Sequence, residues 1–140
     1  MPLDTRRWFD RSQPQTLQIA TFLLYFNGAF AVIDFLGQSG LEIGLARAVK
    51  GAVGLLVGLI VIGAHIGGPF LMANERKVGY YLSLVAAFSP FAIRLWVLSG
   101  FYSAFDRFTG GNLINFVFEA ALVALLLHPQ SRDHQRIWFH

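Results

Sequence analysis

Three ionisable residues lie inside apolar stretches of this sequence, and each interrupts a different stretch. They are Asp34, Arg94 and Glu119. Within a bilayer such a side chain costs about 2.5–3.5 kcal/mol at the centre of a helix, so each one needs a partner or a function. Two carboxylates and an arginine can line a polar chamber for a ligand, or they can do no more than hold helices together.

Two asparagines extend the helical faces that carry the carboxylates. Asn27 precedes Asp34 by seven residues and Asn115 precedes Glu119 by four, which is the spacing of one helical face. At a rise of about 1.5 Å per residue, Asp34, Arg94 and Glu119 lie about 3, 6 and 9 Å below the outer membrane boundary. The sequence therefore predicts an intramembrane polar cluster of these five residues in the outer half of the membrane.

This cluster has two interpretations. It is either a chamber, open to the outside, that binds a ligand or contacts a partner subunit, or it is an ion pair of Arg94 with Glu119 or with Asp34. Arg94 and Asp34 are also shallow enough for their charged ends to reach the interface. We favour a structural role over the chamber.

The second apolar stretch is rich in glycine at regular intervals. Small residues at such spacing allow helix backbones to approach closely, either within the chain or against another subunit. The sequence predicts a face for helix packing or partner contact formed by Gly44, Gly51, Gly54, Gly58 and His65, with Gly63 and Gly67 following in the motif GAHIG.

His65 and His128 raise the question of a cofactor, because two histidines on different helices can bind a b-type haem. Their expected depths differ, at about 12 Å above the inner boundary for His65 and close to that boundary for His128. His65 is therefore interpreted as a hydrogen-bonded residue within the helix packing, and no cofactor is predicted. The sequence has no cysteine, no metal-ligand spacing and no catalytic motif, which argues against an enzyme.

The elements that carry these residues follow from composition. Hydrophobic residues make up 55% of the 140 residues and charged residues only 14%, whereas a soluble domain has about a quarter charged residues. Long apolar runs without alternation predict helices, and about 20 residues span a membrane. We expect an all-α integral membrane four-transmembrane-helix bundle, one domain over residues 1–140, with spans at about 17–36, 51–73, 78–98 and 113–127.

Lysine and arginine residues set the predicted orientation. Seven of them flank the spans on the side of the two termini and three on the other side, which puts both termini in the cytoplasm. The end segments LDTRRWFDR and RDHQRIWFH mix basic and aromatic residues, so they are either interfacial anchors or segments that lie on anionic lipid. A cleaved signal peptide is a weaker interpretation of the first span, which is long and contains Asn27 and Asp34.

These features lead to one functional expectation with two alternatives. We expect a small non-catalytic membrane protein, an accessory or assembly subunit that packs against other membrane subunits or forms a homo-oligomer in a bacterial inner membrane. The first alternative is a small oligomeric transporter or channel that uses the polar cluster. The second is a haem- or quinone-binding membrane anchor using His65. No basic patch of the kind that binds nucleic acid is visible.

Overall fold

The computed structural model describes residues 2–37, 42–97, 103–109 and 113–140, and within these residues the only regular secondary structure is helical. The predicted all-α fold class is therefore confirmed. Leu98, the predicted end of the third span, lies outside the described residues. The helices are α1 (Gln15–Gly37), α2 (Glu42–Ala73), α3 (Lys77–Val97), α4 (Ala104–Thr109), α5 (Leu113–Leu127) and α6 (Pro129–Trp138).

Three helical segments are long and apolar enough to cross a membrane: α1, α3 and residues Val49–Ala73 of α2. α5 coincides with the predicted fourth span, but its 15 residues extend only about 22 Å. It qualifies as a span only together with α6, which is bent away from it by 47°. The helices indicate a membrane protein with three spans, or four if α5 and α6 are counted as one bent span.

The long helices close into a ring. α1 packs against α2, α2 against α3, α3 against α5 and α5 against α1, and the most extensive of these contacts is between α2 and α3. The larger buried core fills the end of the ring that carries the chain termini and includes Leu17, Met72, Tyr80, Leu126 and Phe139. This arrangement is compatible with a four-helix bundle.

α2 extends before its apolar segment Val49–Ala73, which closely matches the predicted second span, and it contains a break. Helical structure starts at Glu42 rather than at residue 51, and Gly51 has φ 58° and ψ −128° inside it. Glycine adopts this conformation readily because it has no Cβ, whereas the Cβ of any other residue would clash. Residues 42–50, which precede the predicted span and include three charged residues, therefore form a helical segment of their own, and Gly51 marks its junction with the rest of α2.

Prolines lie inside two of the long helices, Pro69 in α2 and Pro90 in α3. A proline in a helix cannot donate to the carbonyl four residues earlier, which for Pro90 is that of Ala86. The Ser89 hydroxyl donates to this carbonyl oxygen at 2.6 Å. A side chain thus replaces the missing backbone donor, as spanning helices require.

The N-terminal segment, the turn between α2 and α3 and the C-terminal residues meet at one end of the ring. Asp4 N donates to Asn74 Oδ1, and the backbones of His140 and Glu75 are joined by a hydrogen bond of 2.8 Å. Lys77 N completes the connection by donating to His140 O. Both described chain ends therefore lie at the same end of the bundle, whereas the cytoplasmic side remains a prediction.

Candidate functional site

The centre of the candidate site is an ion pair between α3 and α5. Arg94 Nη1 donates to Glu119 Oε2 at 2.7 Å and Arg94 Nη2 donates to Glu119 Oε1 at 2.6 Å. Arg94 is 2% exposed and Glu119 is 4% exposed. Two parallel charge-assisted bonds are the strong form of an arginine–carboxylate contact, and both ends of this one are withdrawn from the surface of the chain.

Asn115 adds a third donor to the same carboxylate. Its Nδ2 donates to Glu119 Oε1 at 2.9 Å, which the spacing of four residues on α5 makes possible. Next to the pair, Phe91 lies with its ring centre 5.9 Å from Arg94 Cζ, and the rings of Phe91 and Phe116 meet edge to face. The Glu119 carboxylate is thus buried opposite the positive charge of Arg94, and Asn115 adds a neutral hydrogen bond.

α1 contributes the other two residues of the predicted cluster. Asp34 is 3% exposed, and it lies one turn from the end of α1. It is engaged in an interaction of its own. Asn27 is half-buried and lies two turns further toward the other end of the helix. The described hydrogen bonds therefore join Arg94, Glu119 and Asn115 directly.

The glycine-rich face of α2 is split between the inside and the outside of the ring. Gly54, Gly58 and His65 are buried, whereas Gly51 is exposed at the helix break. Gly44 belongs to the first turn of α2, where the side-chain surroundings lie outside the described residues. The predicted face is thus not one continuous surface.

His65 is held by contacts within the chain. Its Nδ1 lies 2.8 Å from the carbonyl oxygen of Val61, one turn earlier on α2. A Cβ built on Gly28 of α1 would come within 3.2 Å of His65 Cβ, so this glycine lets the two helices approach at the histidine. Among the described residues, no group of three or more histidine and carboxylate side chains is placed to hold a metal ion.

Two glycines that the sequence did not single out lie in very close contact between α2 and α3. A Cβ on Gly68 of α2 would lie 2.6 Å from Ser83 Oγ and 2.9 Å from Ser83 N. A Cβ on Gly79 of α3 would lie 2.6 Å from Leu71 and would also strike the backbone nitrogen of Met72. Neither glycine belongs to the predicted packing face of Gly44, Gly51, Gly54, Gly58 and His65, and their close contacts follow from how α2 and α3 meet in the tertiary structure.

The outward side of α2 carries two glycines with open space around them. A Cβ added at Gly63 or at Gly67 would meet no other atom of the described chain within 4 Å. Leu56 and Ile60 occupy the same helical face and are 58% and 66% exposed. We call the surface formed by Leu56, Ile60, Gly63 and Gly67 the open glycine face. Gly63 and Gly67 form a shallow notch on this face, next to the large apolar side chains of Leu56 and Ile60.

Comparison of the chain with protein-family models, with curated proteins and with solved structures finds no match.

Proposed function

We propose that this protein is a small non-catalytic subunit of the bacterial inner membrane that packs against other membrane proteins, with both termini in the cytoplasm. The observation that carries the proposal is the open glycine face of α2. In lipid, helices associate through close van der Waals contact, and small residues four apart are the usual means of approach. Gly63 and Gly67 have that spacing, and they have space for another helix.

The state of the charged residues supports the same function. Arg94 and Glu119 are joined by two short hydrogen bonds, and Asn115 occupies a further position on the carboxylate. These contacts link α3 to α5 and stabilise the shape of the ring. A bundle whose helix arrangement is fixed by its own buried charges presents well-defined outer faces, which favours docking because little order must be gained on association.

The test is a substitution that fills the notch. The double variant Gly63→Leu and Gly67→Leu puts two bulky side chains where a partner helix would approach, and their space is open in this chain, so thermal stability in detergent should be retained. In gently extracted membranes we expect the native protein to migrate in a larger complex and the double variant to migrate alone. Photocrosslinking from residue 63 or 67 identifies the neighbouring subunit.

The matched control is Gly37→Leu. Gly37 ends α1, and a Cβ built on it also has no atom of the described residues within 4 Å, so it tests whether any added leucine disturbs the complex. A native protein that is a monodisperse monomer after gentle extraction would refute the subunit proposal. Release of the complex by the Gly37 variant as well would remove the open glycine face as its cause.

A second candidate is a small oligomeric transporter. The observation in its favour is that Asp34, Arg94 and Glu119, from three different helices, are each buried, and that the half-buried Asn115 donates to Glu119. In such a protein the Arg94–Glu119 pair would open to exchange partners with a charged substrate. Exchanging the two charges distinguishes the candidates, because a pair that only stabilises the fold tolerates the exchange.

A further inference from the structure

The end of the bundle that holds both termini forms one connected surface, which we call the basic cap. It comprises residues 2–13, the turn at residues 74–77 and residues 128–140. Arg7 Nη2 bonds Asp10 at 2.6 Å and Glu75 at 3.1 Å, which ties the first segment to the turn. Phe139 is fully buried and anchors the C-terminal segment. The three segments therefore present their outer side chains in a fixed arrangement.

Charge is distributed very unevenly between this cap and the rest of the chain. The cap holds seven of the eleven basic residues and four of the eight acidic residues, so it carries the entire formal net charge of +3. Two of its four carboxylates, Asp10 and Glu75, are paired with Arg7. The exposed basic residues outnumber the exposed acidic ones and are Arg6, Arg11, Lys77, Arg132 and Arg136.

α6 gives this charge a defined geometry. It follows α5 after a single residue, His128, and is bent from it by 47°, so it starts where the apolar helix ends. Arg132 and Arg136 are four residues apart on its exposed side. Ile137 and Trp138, at its last turn, are 68% and 59% exposed. Exposed basic and large apolar side chains therefore share a short helix directly after the apolar α5.

We infer that the basic cap binds anionic phospholipid, with Arg132 and Arg136 on the phosphate of the head group and Ile137 and Trp138 among the upper acyl carbons. Guanidinium groups match phosphate oxygens in geometry as well as charge. Exposed tryptophan and isoleucine beside such groups suit a surface that is anionic outside and apolar beneath. This inference is independent of the proposed partner on α2, because it concerns a different surface and a different ligand.

The probe is short-chain phosphatidylglycerol, titrated into the native protein in a non-ionic detergent and compared with phosphatidylcholine of equal chain length. We expect saturable binding of phosphatidylglycerol that weakens with added salt. The variant Arg132→Gln with Arg136→Gln should bind it about 30-fold more weakly, at about 1 kcal/mol for each basic residue near an anionic surface. The variant with lysine at both positions should bind more tightly than the glutamine variant, because its charge is unchanged, but less tightly than the native protein, because an ammonium group lacks the planar geometry of a guanidinium.

Lys50→Gln is the control for loss of charge elsewhere. Lys50 lies at the other end of the bundle, over the ring of Trp96, and its removal should leave the binding of phosphatidylglycerol intact. Equal affinity for the two lipids, or unchanged affinity in the double glutamine variant, would overturn the inference. Binding of glycerol phosphate with the same affinity as phosphatidylglycerol would also overturn the inference, because the site would then bind a free anion and would not need the acyl chains.

A second measurement does not depend on the folding of the arginine variants. Trp8→Phe together with Trp96→Phe leaves Trp138 as the single tryptophan of the chain. In bilayers, lipids brominated on the upper acyl carbons should quench Trp138, and brominated phosphatidylglycerol should quench it more than brominated phosphatidylcholine at the same mole fraction. Absence of quenching, or equal quenching by both lipids, contradicts the placement of α6 on anionic lipid.

Discussion

At the scale of single residues, the decisive contact is the one between Arg94 and Glu119. Both side chains are buried, and the carboxylate accepts two hydrogen bonds from the arginine and one from Asn115. Burying a pair of charges gives little net stability, but removing one partner leaves the other buried and uncompensated. The pair therefore contributes more to specifying how α3 and α5 meet than to the total free energy of folding.

This asymmetry predicts the outcome of a charge exchange. Arg94→Glu and Glu119→Arg should each lower the free energy of unfolding by about 3–5 kcal/mol, because each places two like charges in a buried site. The double exchange should recover most of that loss, as measured by denaturant or thermal unfolding in micelles. Recovery of folding without recovery of complex formation or transport would show that the site also acts on a partner or a substrate.

The sequence predicted that Arg94 would meet a carboxylate, but it left Glu119 and Asp34 as alternatives. Asp34 and Glu119 were both within reach of Arg94 by depth, since depth follows from residue count along each helix. Which carboxylate receives the guanidinium depends on how α1, α3 and α5 are rotated about their axes. The structure shows that Glu119 accepts hydrogen bonds from Nη1 and Nη2 of the Arg94 guanidinium. The rotation of each helix about its own axis depends on its neighbours in the folded protein, so the spacing of residues along the chain does not specify it.

At the scale of helices, the glycines fall into two groups. Gly28, Gly68 and Gly79 are close to atoms of a neighbouring helix, whereas Gly63 and Gly67 have open space. In a helix of a soluble protein both kinds would be destabilising, because the helix propensity of glycine is less favourable than that of alanine by about 1 kcal/mol. Between membrane helices the first kind allows close approach inside the ring, and the second kind leaves a notch on its surface.

Alanine substitutions should separate these two groups. Gly79→Ala should destabilise the protein by about 1–3 kcal/mol, because the new methyl group meets backbone atoms of α2 that cannot move independently. Gly67→Ala should leave the stability unchanged or raise it slightly, through better helix propensity. Thermal unfolding of both variants in the same detergent provides the comparison. Equal destabilisation of the two would contradict the contact geometry.

At the scale of the whole molecule, the basic cap joins the ends of the chain through groups that titrate. Burial by itself raises the pKa of Asp10, but hydrogen bonds from Ser12 and the Arg7 guanidinium outweigh it and hold that pKa below its usual value. Burial lowers the pKa of His134, against the opposing effect of Asp10 and Glu75. Both groups therefore bind protons less readily in the folded cap than in an unfolded chain.

A group with a lowered pKa stabilises the folded state above its unfolded pKa and loses that contribution as the pH falls. We expect the cap to weaken in two steps. The first begins below about pH 6.5 as His134 gains its proton, and the second begins below about pH 4 as Asp10 does. Hydrogen exchange of the His140 and Lys77 amides, corrected for intrinsic rates, measures this loosening.

Two variants show which side chain causes each of the two steps in the loosening of the cap. His134→Gln should remove the first step and Asp10→Asn the second, while amides in the buried part of α3 should exchange at the same corrected rate throughout. Protection of the cap amides that does not change between pH 8 and pH 3 would contradict the coupling of these two side chains to the cap.

What the sequence determined by itself is the set of apolar helices and their order. Apolar length is a local property, because each run of about 20 residues must satisfy its own backbone and face lipid whatever its neighbours do. The tertiary structure decided which faces of those helices turn inward. It paired Arg94 with Glu119, buried Gly58 while leaving Gly63 open, and brought α6 to the end of the ring. Each of these depends on helix rotation and contact, which a linear pattern does not specify.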